Sequence, residues 1–424
     1  MKLNLNIFKS DFSNNLVVLM SGTIISQALP IALSPILTRI YTPEDFGFLA
    51  LFMSLTGIFG AISTAEYRLA IMLPKTDYEA LILVKLSIFI SLIFCLIILT
   101  IVIVFESNIS SLLGIHEIKN WLYAVPFSVF LTGVFMTLNV YNNRLKNYKI
   151  MSQSLVVKSA SMVSIQLFLG FVMSSTGLII GQFLSYLFGN TSLAKPLKKK
   201  KKILNSISIN ELKSSAKKYI KFLKYSTFGV LLNSLSLNLN NILLSSVFSV
   251  SSLGFYSLSN RILGLPSAVF GSNISTLYFQ TLSNLKYDKI ESKKLFFSIL
   301  KKLLLISSPI FLFLFFTVKP LFVFFYGENW IISGQIAQIL IPLFFMRFLS
   351  STISPTIEIF EKQQYSVIIN LILLLSIILI FVVTKTHNYE LLSFFRLFSF
   401  ILTLNYFFFI LIYYKVIIRG YQNT

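Results

Sequence analysis

Long apolar runs, each ended by a short polar break, recur along the whole chain. About twenty apolar residues are needed for a helix to cross the hydrocarbon layer of a bilayer, and the pattern predicts about twelve such spans. The fifth and sixth spans are separated only by residues 174–176, so a count of eleven is also possible. The predicted spans lie near residues 16–37, 46–73, 80–105, 121–140, 154–174, 177–194, 223–248, 253–280, 303–325, 331–357, 365–384 and 391–415.

The second half of the chain is a faint copy of the first. Residues 38–57 match residues 245–264 without a gap, at an offset of 207. Internal duplication of this kind builds two-lobed transporters, and six spans per half give both copies the same orientation. We therefore expect an all-α integral membrane protein whose two six-helix lobes are related by a pseudo-two-fold axis along the membrane normal. The identical pairs are Leu16/Leu223, Gly22/Gly229, Leu37/Leu244, Gly47/Gly254, Phe48/Phe255, Leu51/Leu258, Gly57/Gly264 and Ala61/Ala268.

Composition agrees with a membrane location. Of the 424 residues, 55% are hydrophobic and only 12% are charged, and the mean hydropathy is +0.80. A soluble chain of this length would keep more charge on its surface. Cys95 is the single cysteine, which excludes disulfides and thiolate metal sites within the chain.

Lysine and arginine are concentrated in alternate loops, which is the positive-inside pattern. With an even number of spans, this pattern places both termini in the cytoplasm. A count of eleven would put the charges out of phase in one half. The predicted outer loops hold only Arg39, Lys119, Lys319 and Lys385. The predicted inner segments hold Lys2, Lys9, Lys75, Arg144, Lys146, Lys149, residues 195–224, the loop 286–302, Lys362, Lys415 and Arg419.

The most basic stretch separates the two halves. It begins with KPLKKKKK at Lys195 and continues to Lys224 with Glu211 as its only acid. An anchor on the anionic inner leaflet explains the lysines, since each adds about 1 kcal/mol at such a surface. Membrane lipids are therefore expected partners, and nucleic acid is not. The predicted domains are an N-terminal lobe at 1–194, a basic cytoplasmic linker at 195–222, the first four to five helices of the C-terminal lobe at 223–390, and a last helix with a cytoplasmic tail at 391–424.

The motifs of common enzyme classes do not occur. His116 and His387 are the only histidines and fall in predicted outer loops, so a HExxH helix cannot form. The sequence also lacks a P-loop and a GxSxG elbow. The predicted outer loops are too short for a folded catalytic domain. We expect a transporter, not an enzyme, with no cofactor and no metal.

Two arginines fall in the middle third of predicted spans. Arg261 lies eight residues into one span and Arg347 sixteen residues into another. Each is either a cation of a substrate cavity or part of a buried ion pair or carbonyl cap. A guanidinium suits phosphate because its planar fork donates parallel hydrogen bonds and stays charged. Gly264 and Pro266 follow Arg261, so we expect that helix to be bent beside a cavity.

Three further cations and two tyrosines are weaker candidates for the lining of this cavity. Lys158 and Arg68 lie near inner span ends and Arg396 near an outer end, where snorkelling to the interface is the favoured alternative. Tyr256 and Tyr278 lie beside the arginine span and are candidates for stacking on sugar rings, although most aromatic residues here are explained by interfaces and lipid contact.

Two acids lie toward the inner side of their spans. We expect Glu66 to pair with Arg68 and Glu358 with Arg347, or either acid to carry a coupling proton. Five cations against two acids predict a cavity that attracts anions and repels cationic drugs.

Two segments carry a family resemblance: LSPILTRIYTPEDFGFLAL from Leu33, and LGFYSLSNRILGLPSAVFGSNISTLYFQTLS from Leu253. They resemble the polysaccharide flippases of the multidrug, oligosaccharidyl-lipid and polysaccharide exporter superfamily, in particular the O-antigen flippases (Wzx). The second segment is the more specific, through its Gly-x-Tyr-Ser-Leu opening followed by Arg-Ile-Leu and Leu-Pro. The resemblance in layout extends over essentially the whole chain.

The resemblance implies a function in lipopolysaccharide or related surface polysaccharide assembly. Such a protein moves undecaprenyl-diphosphate-linked oligosaccharide repeat units from the cytoplasmic to the periplasmic leaflet of the bacterial inner membrane by alternating access. It also implies that Arg261 is the central-cavity arginine, and it suggests a polysaccharide polymerase and a chain-length regulator as partners. The roles of Arg347, Arg396 and Glu358 are inferred from depth alone.

Three alternatives remain open from the sequence. A cation-coupled multidrug exporter of the same superfamily would share the fold but bias its cavity toward acids. A membrane polysaccharide polymerase or transferase would use its spans for catalysis. A flippase for peptidoglycan precursor or teichoic units would differ only in its sugar.

Overall fold

The described part of the protein is α-helical. The structure is a computed structural model that describes residues 11–113 and 121–419. Lys2, Lys9, His116 and Lys119, which the sequence assigns to membrane flanks, lie outside the described residues. The helices up to residue 247 are α1 Asp11–Ala32, α2 Ser34–Ile40, α3 Pro43–Ile62, α4 Tyr67–Ala70, α5 Asp77–Leu113, α6 Ala124–Arg144, α7 Tyr148–Gly170, α8 Ser174–Leu193, α9 Lys195–Lys198, α10 Lys201–Ser206, α11 Ile209–Lys218 and α12 Thr227–Val247.

The remaining helices continue to the carboxyl end of the described chain. Two short π-helices interrupt the α-helical pattern, at Phe222–Ser226 before α12 and at Ser267–Gly271 between α13 and α14. The helices are α13 Val250–Leu263, α14 Ser272–Asn284, α15 Lys289–Tyr326, α16 Ile331–Ile353, α17 Thr356–Ile359, α18 Gln363–Thr386 and α19 Leu391–Arg419.

Nine helical segments in the described ranges are long and apolar enough to cross a membrane. The longest is α15 with 38 residues. Helix α5 covers 37 residues but is kinked at Phe105, whose backbone is not helical. The other three predicted spans coincide with α7, with α8, and with α13 and α14 together. These segments are helical but are not among the nine, so the total of twelve spans stays a prediction.

The chain folds as two compact units. Unit 1 is Met1–Ile242 and unit 2 is Leu243–Thr424. Unit 1 therefore includes the predicted linker and most of α12. The predicted domain boundaries at residues 194, 222 and 390 stay predictions.

Small residues allow the helices of unit 1 to approach closely. Helix α7 packs against α8 and α1, and α6 packs against α3, α5 and α8. At Gly133 on α6, a Cβ atom would collide with the side chains of Ser91 and Ser63. Close approach of this kind is how helices associate in lipid, where burial of apolar surface supplies little drive.

Polar contacts join α12 to α3 within unit 1. The Ser234 hydroxyl donates to the Gly57 carbonyl at 3.0 Å, and the Asn241 amide donates to the Ser54 hydroxyl at 2.8 Å. Both contacts cross between apolar helices, where a hydrogen-bonded side chain fixes the register of the pair.

The duplication seen in the sequence recurs in the helix starts. Helix α3 begins at Pro43 behind Thr42, whose hydroxyl accepts from the Asp45 amide. Helix α13 begins 207 residues later, behind Ser249, whose hydroxyl accepts from the Ser252 amide. A hydroxyl at the N-cap satisfies a backbone donor that the first helical turn leaves free. The two copies therefore start corresponding helices by the same device.

Unit 2 is built around α16, which contacts α13, α14, α15 and α19. Aromatic rings fill the space between α13, α18 and α19. The ring of Tyr256 stacks on Phe395 with centroids 5.4 Å apart, and Phe381 lies 4.8 Å from Phe394.

The predicted linker is a packed helical layer, which we name the basic cap and define as residues 195–221. Its helices α9 to α11 lie against other helices of unit 1, chiefly α5. Ile207 and Leu212 are buried in one apolar cluster with Ile71, Leu81 and Tyr141. Burial of these two side chains explains why the stretch is ordered despite its charge.

Candidate functional site

A cavity of about 400 Å³ lies inside unit 2. One wall is the face of the segment that contains α13, the π-helix and α14. The other wall is α16. The lining residues are Asn260, Gly264, Ser267, Ala268, Gly271, Ser272 and Ser275 from the first wall, and Phe344, Arg347 and Ser351 from the second.

Small side chains on one helical face create this cavity. Asn260, Gly264, Ser267, Gly271 and Ser275 recur every three or four residues, the spacing of one helical face. Beside these small side chains the space between the two walls is open. At Gly271 the walls approach each other, since an added Cβ atom would already contact Phe348 on α16.

Regular α-helix is interrupted at Gly264 and Pro266, where the sequence predicts a bend. Helix α13 ends at Leu263, and the π-helix begins directly after Pro266. Proline has no backbone N–H to donate to the preceding turn, so the regular hydrogen-bond ladder cannot continue through it. Single-turn π-helices are frequent at functional sites.

Arg347 is the charged residue of the cavity lining. It is half-buried on α16, and its guanidinium carbon lies 5.7 Å from the centre of the Phe344 ring. No acid pairs with it among the described residues. The predicted pairing with Glu358 is wrong, because Glu358 is exposed on the short helix α17 beyond the end of α16.

Three uncharged polar side chains of the lining are also without a partner in the described structure: Asn260, Ser267 and Ser275. The hydroxyls of Ser272 and Ser351, in contrast, donate to backbone carbonyls of the preceding helical turn. A guanidinium together with free amide and hydroxyl groups suits an anionic, hydroxyl-rich ligand. The signal that the sequence reading missed is the regular spacing of these small polar residues.

Arg261 is half-buried on α13 and does not belong to the lining residues. It follows Asn260, and one step along a helix turns the side chain by about 100°. The structure places it near Tyr326, at the end of α15, and it makes no ion pair in the described part of the chain. Its assignment to a substrate cavity stays a prediction.

Glu66 and Arg68 form the predicted ion pair. Arg68 Nη2 donates to both carboxylate oxygens, at 2.9 and 3.1 Å, and Nε donates to Oε1 at 3.2 Å. Glu66 is fully buried and has left-handed backbone geometry with φ of 58°. A buried carboxylate is tolerated when a hydrogen-bonded cation compensates it. Arg68 is therefore occupied by its neighbour, which argues against a direct contact with substrate.

The expectation that Lys158 snorkels to the inner interface is wrong. Its ammonium lies over two aromatic rings of unit 1, 3.6 Å from the centre of the Tyr186 ring and 5.0 Å from that of Phe135. Helix α7 begins at Tyr148, ten residues earlier, so Lys158 lies about 15 Å along the helix from its start. The rings offer their negative faces to the cation instead.

Arg396 is exposed in the second turn of α19, which agrees with its predicted place near a span end. It is not among the cavity-lining residues. A substrate role for it stays a prediction.

The two tyrosines predicted to stack on sugars are core residues. Tyr256 is buried against Phe395, and Tyr278 is buried with its hydroxyl 2.8 Å from the hydroxyl of Thr356. Both lie on the face that carries the small residues, one at each end. They pack against neighbouring helices, so they flank the cavity and are not free to stack on a ligand.

The comparison with protein families decides the identity. The family described as polysaccharide biosynthesis protein matches residues 36–335. The chain belongs to this family. The match includes Arg261 and the first wall of the cavity, whereas Arg347 lies beyond it. A search of curated protein sequences gives no significant match.

Solved structures show the fold. The inward closed conformation of the lipid II flippase MurJ superposes with a TM-score of 0.76 at 16% identity, covering 96% of this chain and 90% of that one. A mutant of the Vibrio cholerae MATE transporter VcmN gives 0.61 at 14% identity, covering 97% and 96%. An outward-facing multidrug resistance MATE transporter of the MOP superfamily gives 0.63 at 15%, covering 99% of both chains. This polysaccharide biosynthesis protein thus shares the multi-pass α-helical fold of MurJ and the MATE transporters.

Proposed function

We propose that the protein flips undecaprenyl-diphosphate-linked repeat units of O-antigen, or of a related surface polysaccharide, from the cytoplasmic to the periplasmic leaflet of the bacterial inner membrane. The observation that carries the proposal is the cavity of unit 2, in which Arg347 and free polar side chains face the same space. Family membership and the fold support a transporter of lipid-linked precursors.

The polar lining suits the part of the substrate that cannot cross lipid unaided. Each unpaired sugar hydroxyl would cost some kcal/mol in hydrocarbon, so the glycan needs a polar path. The isoprenoid tail is soluble in the bilayer and needs none. Arg347 binds the diphosphate, and Asn260, Ser267 and Ser275 offer hydrogen bonds to the adjoining sugar. Arg261 is the second cation of this proposal.

Transport proceeds by alternating access of two duplicated halves, as the repeat predicts. The membrane potential supplies drive without ATP, since moving an anion outward from a negative interior gains about 2.3 kcal/mol per charge per 100 mV. A diphosphate diester carries about two charges, part of which the arginine countercharge offsets. A proton on Glu66 or Glu358 is the competing source.

Complementation of a strain that lacks its O-antigen flippase tests the proposal. We expect Arg347→Ala to reduce surface polysaccharide at least about tenfold, because a buried charge-assisted contact is lost. Arg347→Lys keeps the charge but not the fork and should retain part of the activity. Lys301→Ala, which removes an exposed cation of unit 2, is the matched control and should leave display unchanged.

The rivals predict different results in the same strains. Intact display in Arg347→Ala cells, together with new sensitivity to cationic dyes, would contradict the proposal and favour a drug exporter. Rescue of a strain depleted of its peptidoglycan-precursor flippase, without rescue of polysaccharide, would favour that substrate. In a null strain the lipid-linked units should accumulate on the cytoplasmic side.

A further inference from the structure

The basic cap presents a charged face that the proposed transport cycle does not use. Its residues, 195–221, carry ten lysines and one glutamate, against a net charge of +21 for the whole chain. Nine of the ten lysines are exposed, and only Lys200 is half-buried. So much uncompensated charge on an ordered surface indicates an anionic partner.

Three consecutive residues at the start of α5 hold the cap to unit 1. Asp77 Oδ2 accepts from Lys200 Nζ at 2.9 Å, and the Tyr78 hydroxyl donates to Glu211 Oε1 at 2.7 Å. Glu79 lies 3.9 Å from Lys218. Each of the three thus reaches a different point of the cap. The lysines that remain exposed therefore belong to a segment that is packed against the protein and not to a flexible linker.

Hydrogen bonds from side chains of α5 and α4 also hold the cap in place. Lys85 Nζ donates to the carbonyls of Leu204 and Ile207, both at 3.0 Å. The Tyr67 hydroxyl donates to the Ala216 carbonyl at 3.0 Å. These bonds satisfy carbonyls near the ends of α10 and α11 that would otherwise be free.

The inner and outer sides of helix α11 carry different kinds of residue. Leu212 and Ala216 face unit 1 and belong to its apolar cluster. Ile209, Lys213 and Lys217 recur every four residues and are all exposed. Ile209 is 70% exposed, and Ile203 on α10 is 40% exposed. The outer side therefore combines lysines with isolated apolar side chains, as interfacial helices do.

The cap adjoins the starts of two candidate membrane spans. Asp77, which holds it, is the first residue of the candidate span Asp77–Ser111. Lys221, its last residue, directly precedes the candidate span Phe222–Val247. A surface joined at both places to the start of a span is next to the headgroup layer.

We propose that the basic cap binds the anionic headgroups of the bilayer in which the protein is inserted. The exposed lysines contact headgroup phosphates, and Ile203 and Ile209 enter the interface between headgroups and acyl chains. The charge of the partner follows from the lysines, and its identity as a lipid follows from the adjacent span starts and the exposed isoleucines.

Lipid retention by the full-length protein tests this proposal. The detergent-solubilised protein is mixed with equal amounts of phosphatidylglycerol and phosphatidylcholine, and bound lipid is quantified by native mass spectrometry. We expect phosphatidylglycerol to be preferred. Replacing Lys201, Lys202, Lys213 and Lys217 by Gln should lower the ratio of bound phosphatidylglycerol to phosphatidylcholine at least about tenfold.

The matched control removes the same charge elsewhere. Replacing Lys289, Lys293, Lys301 and Lys302 by Gln should leave the lipid ratio within about twofold of the unchanged protein. An equal fall in both variants would show that net charge and not the cap selects lipid, and would overturn the proposal. So would an unchanged ratio in the cap variant, or full displacement of phosphatidylglycerol by inorganic phosphate. Arg347→Ala should keep the lipid preference, so failure of this proposal is separable from failure of the flippase proposal.

Discussion

Glu66 and Arg347 are two ionisable residues that differ in whether an opposite charge lies beside them. Glu66 is fully buried and receives three hydrogen bonds from Arg68. Arg347 lines a cavity and has no acid beside it in the described chain. A charge that is kept without compensation is costly unless a ligand supplies the countercharge. We therefore propose Arg347 as the ligand-binding cation and Arg68 as a structural one.

Removing the Arg68 side chain should destabilise the protein, because the buried carboxylate of Glu66 would lose its partner. We expect Arg68→Met to lower the free energy of unfolding by about 3 kcal/mol, since an unpaired buried charge remains. The double variant Glu66→Gln with Arg68→Met should recover much of this loss. Thermal unfolding of the purified proteins in detergent measures both. An equal loss in the single and the double variant would contradict a compensating role for Arg68.

The sequence predicted the Glu66–Arg68 pair because two residues of spacing keep both groups at one break in the chain. It misjudged Lys158, because snorkelling was inferred from an assumed helix start near residue 154, whereas α7 begins at Tyr148. It also misjudged Tyr256, since the ring that packs on it belongs to a helix more than a hundred residues away. Contacts of that kind depend on tertiary packing and leave no local pattern.

At the scale of elements, the segment from α13 to α14 combines two functions on one face. Tyr256 and Tyr278 pack it against neighbouring helices, and the small residues between them leave space beside α16. The sequence indicated an irregular helix at Gly264 and Pro266, because proline and glycine act through their own backbones. The sequence did not indicate that α16 forms the opposite wall of the cavity.

Filling the cavity should block transport without unfolding the protein. Ser267→Phe places a ring where the lining is open, so we expect normal membrane levels with surface polysaccharide reduced at least about tenfold. Ser267→Ala removes one hydrogen bond and should cost about threefold. Phe270→Ala, three residues on but 62% exposed, is the control and should retain display. Full activity in Ser267→Phe would show that substrate does not enter this space.

At the scale of the whole molecule, the duplication is the feature that the sequence described best. The shared offset recurs in the capped starts of α3 and α13, because N-cap chemistry is local. The packing of the basic cap was not predicted, since a lysine-rich stretch resembles a solvated tether. Its order depends on two buried side chains, Ile207 and Leu212, that the surrounding charge obscures.

The predicted topology of twelve spans with cytoplasmic termini can be tested by cysteine labelling. Cys95 is buried and is the only cysteine, so Cys95→Ser gives a background with little disturbance. With an impermeant maleimide on spheroplasts, we expect Asn388→Cys to be labelled. Asn205→Cys and Tyr287→Cys should be labelled only after the membrane is permeabilised. Labelling of Asn205→Cys on intact spheroplasts would contradict the predicted orientation of the basic cap.

The two tyrosines at the ends of the small-residue face pack against other helices, whereas the small residues between them line the cavity. The tyrosines lie 22 residues apart, and both are buried, as are Leu258 and Leu263 between them. Exchanges among glycine, alanine and serine in the interval alter size and polarity without disturbing either anchor. On the proposed function, substitutions that adapt the protein to a different sugar are therefore expected at the small lining positions and not at the two tyrosines.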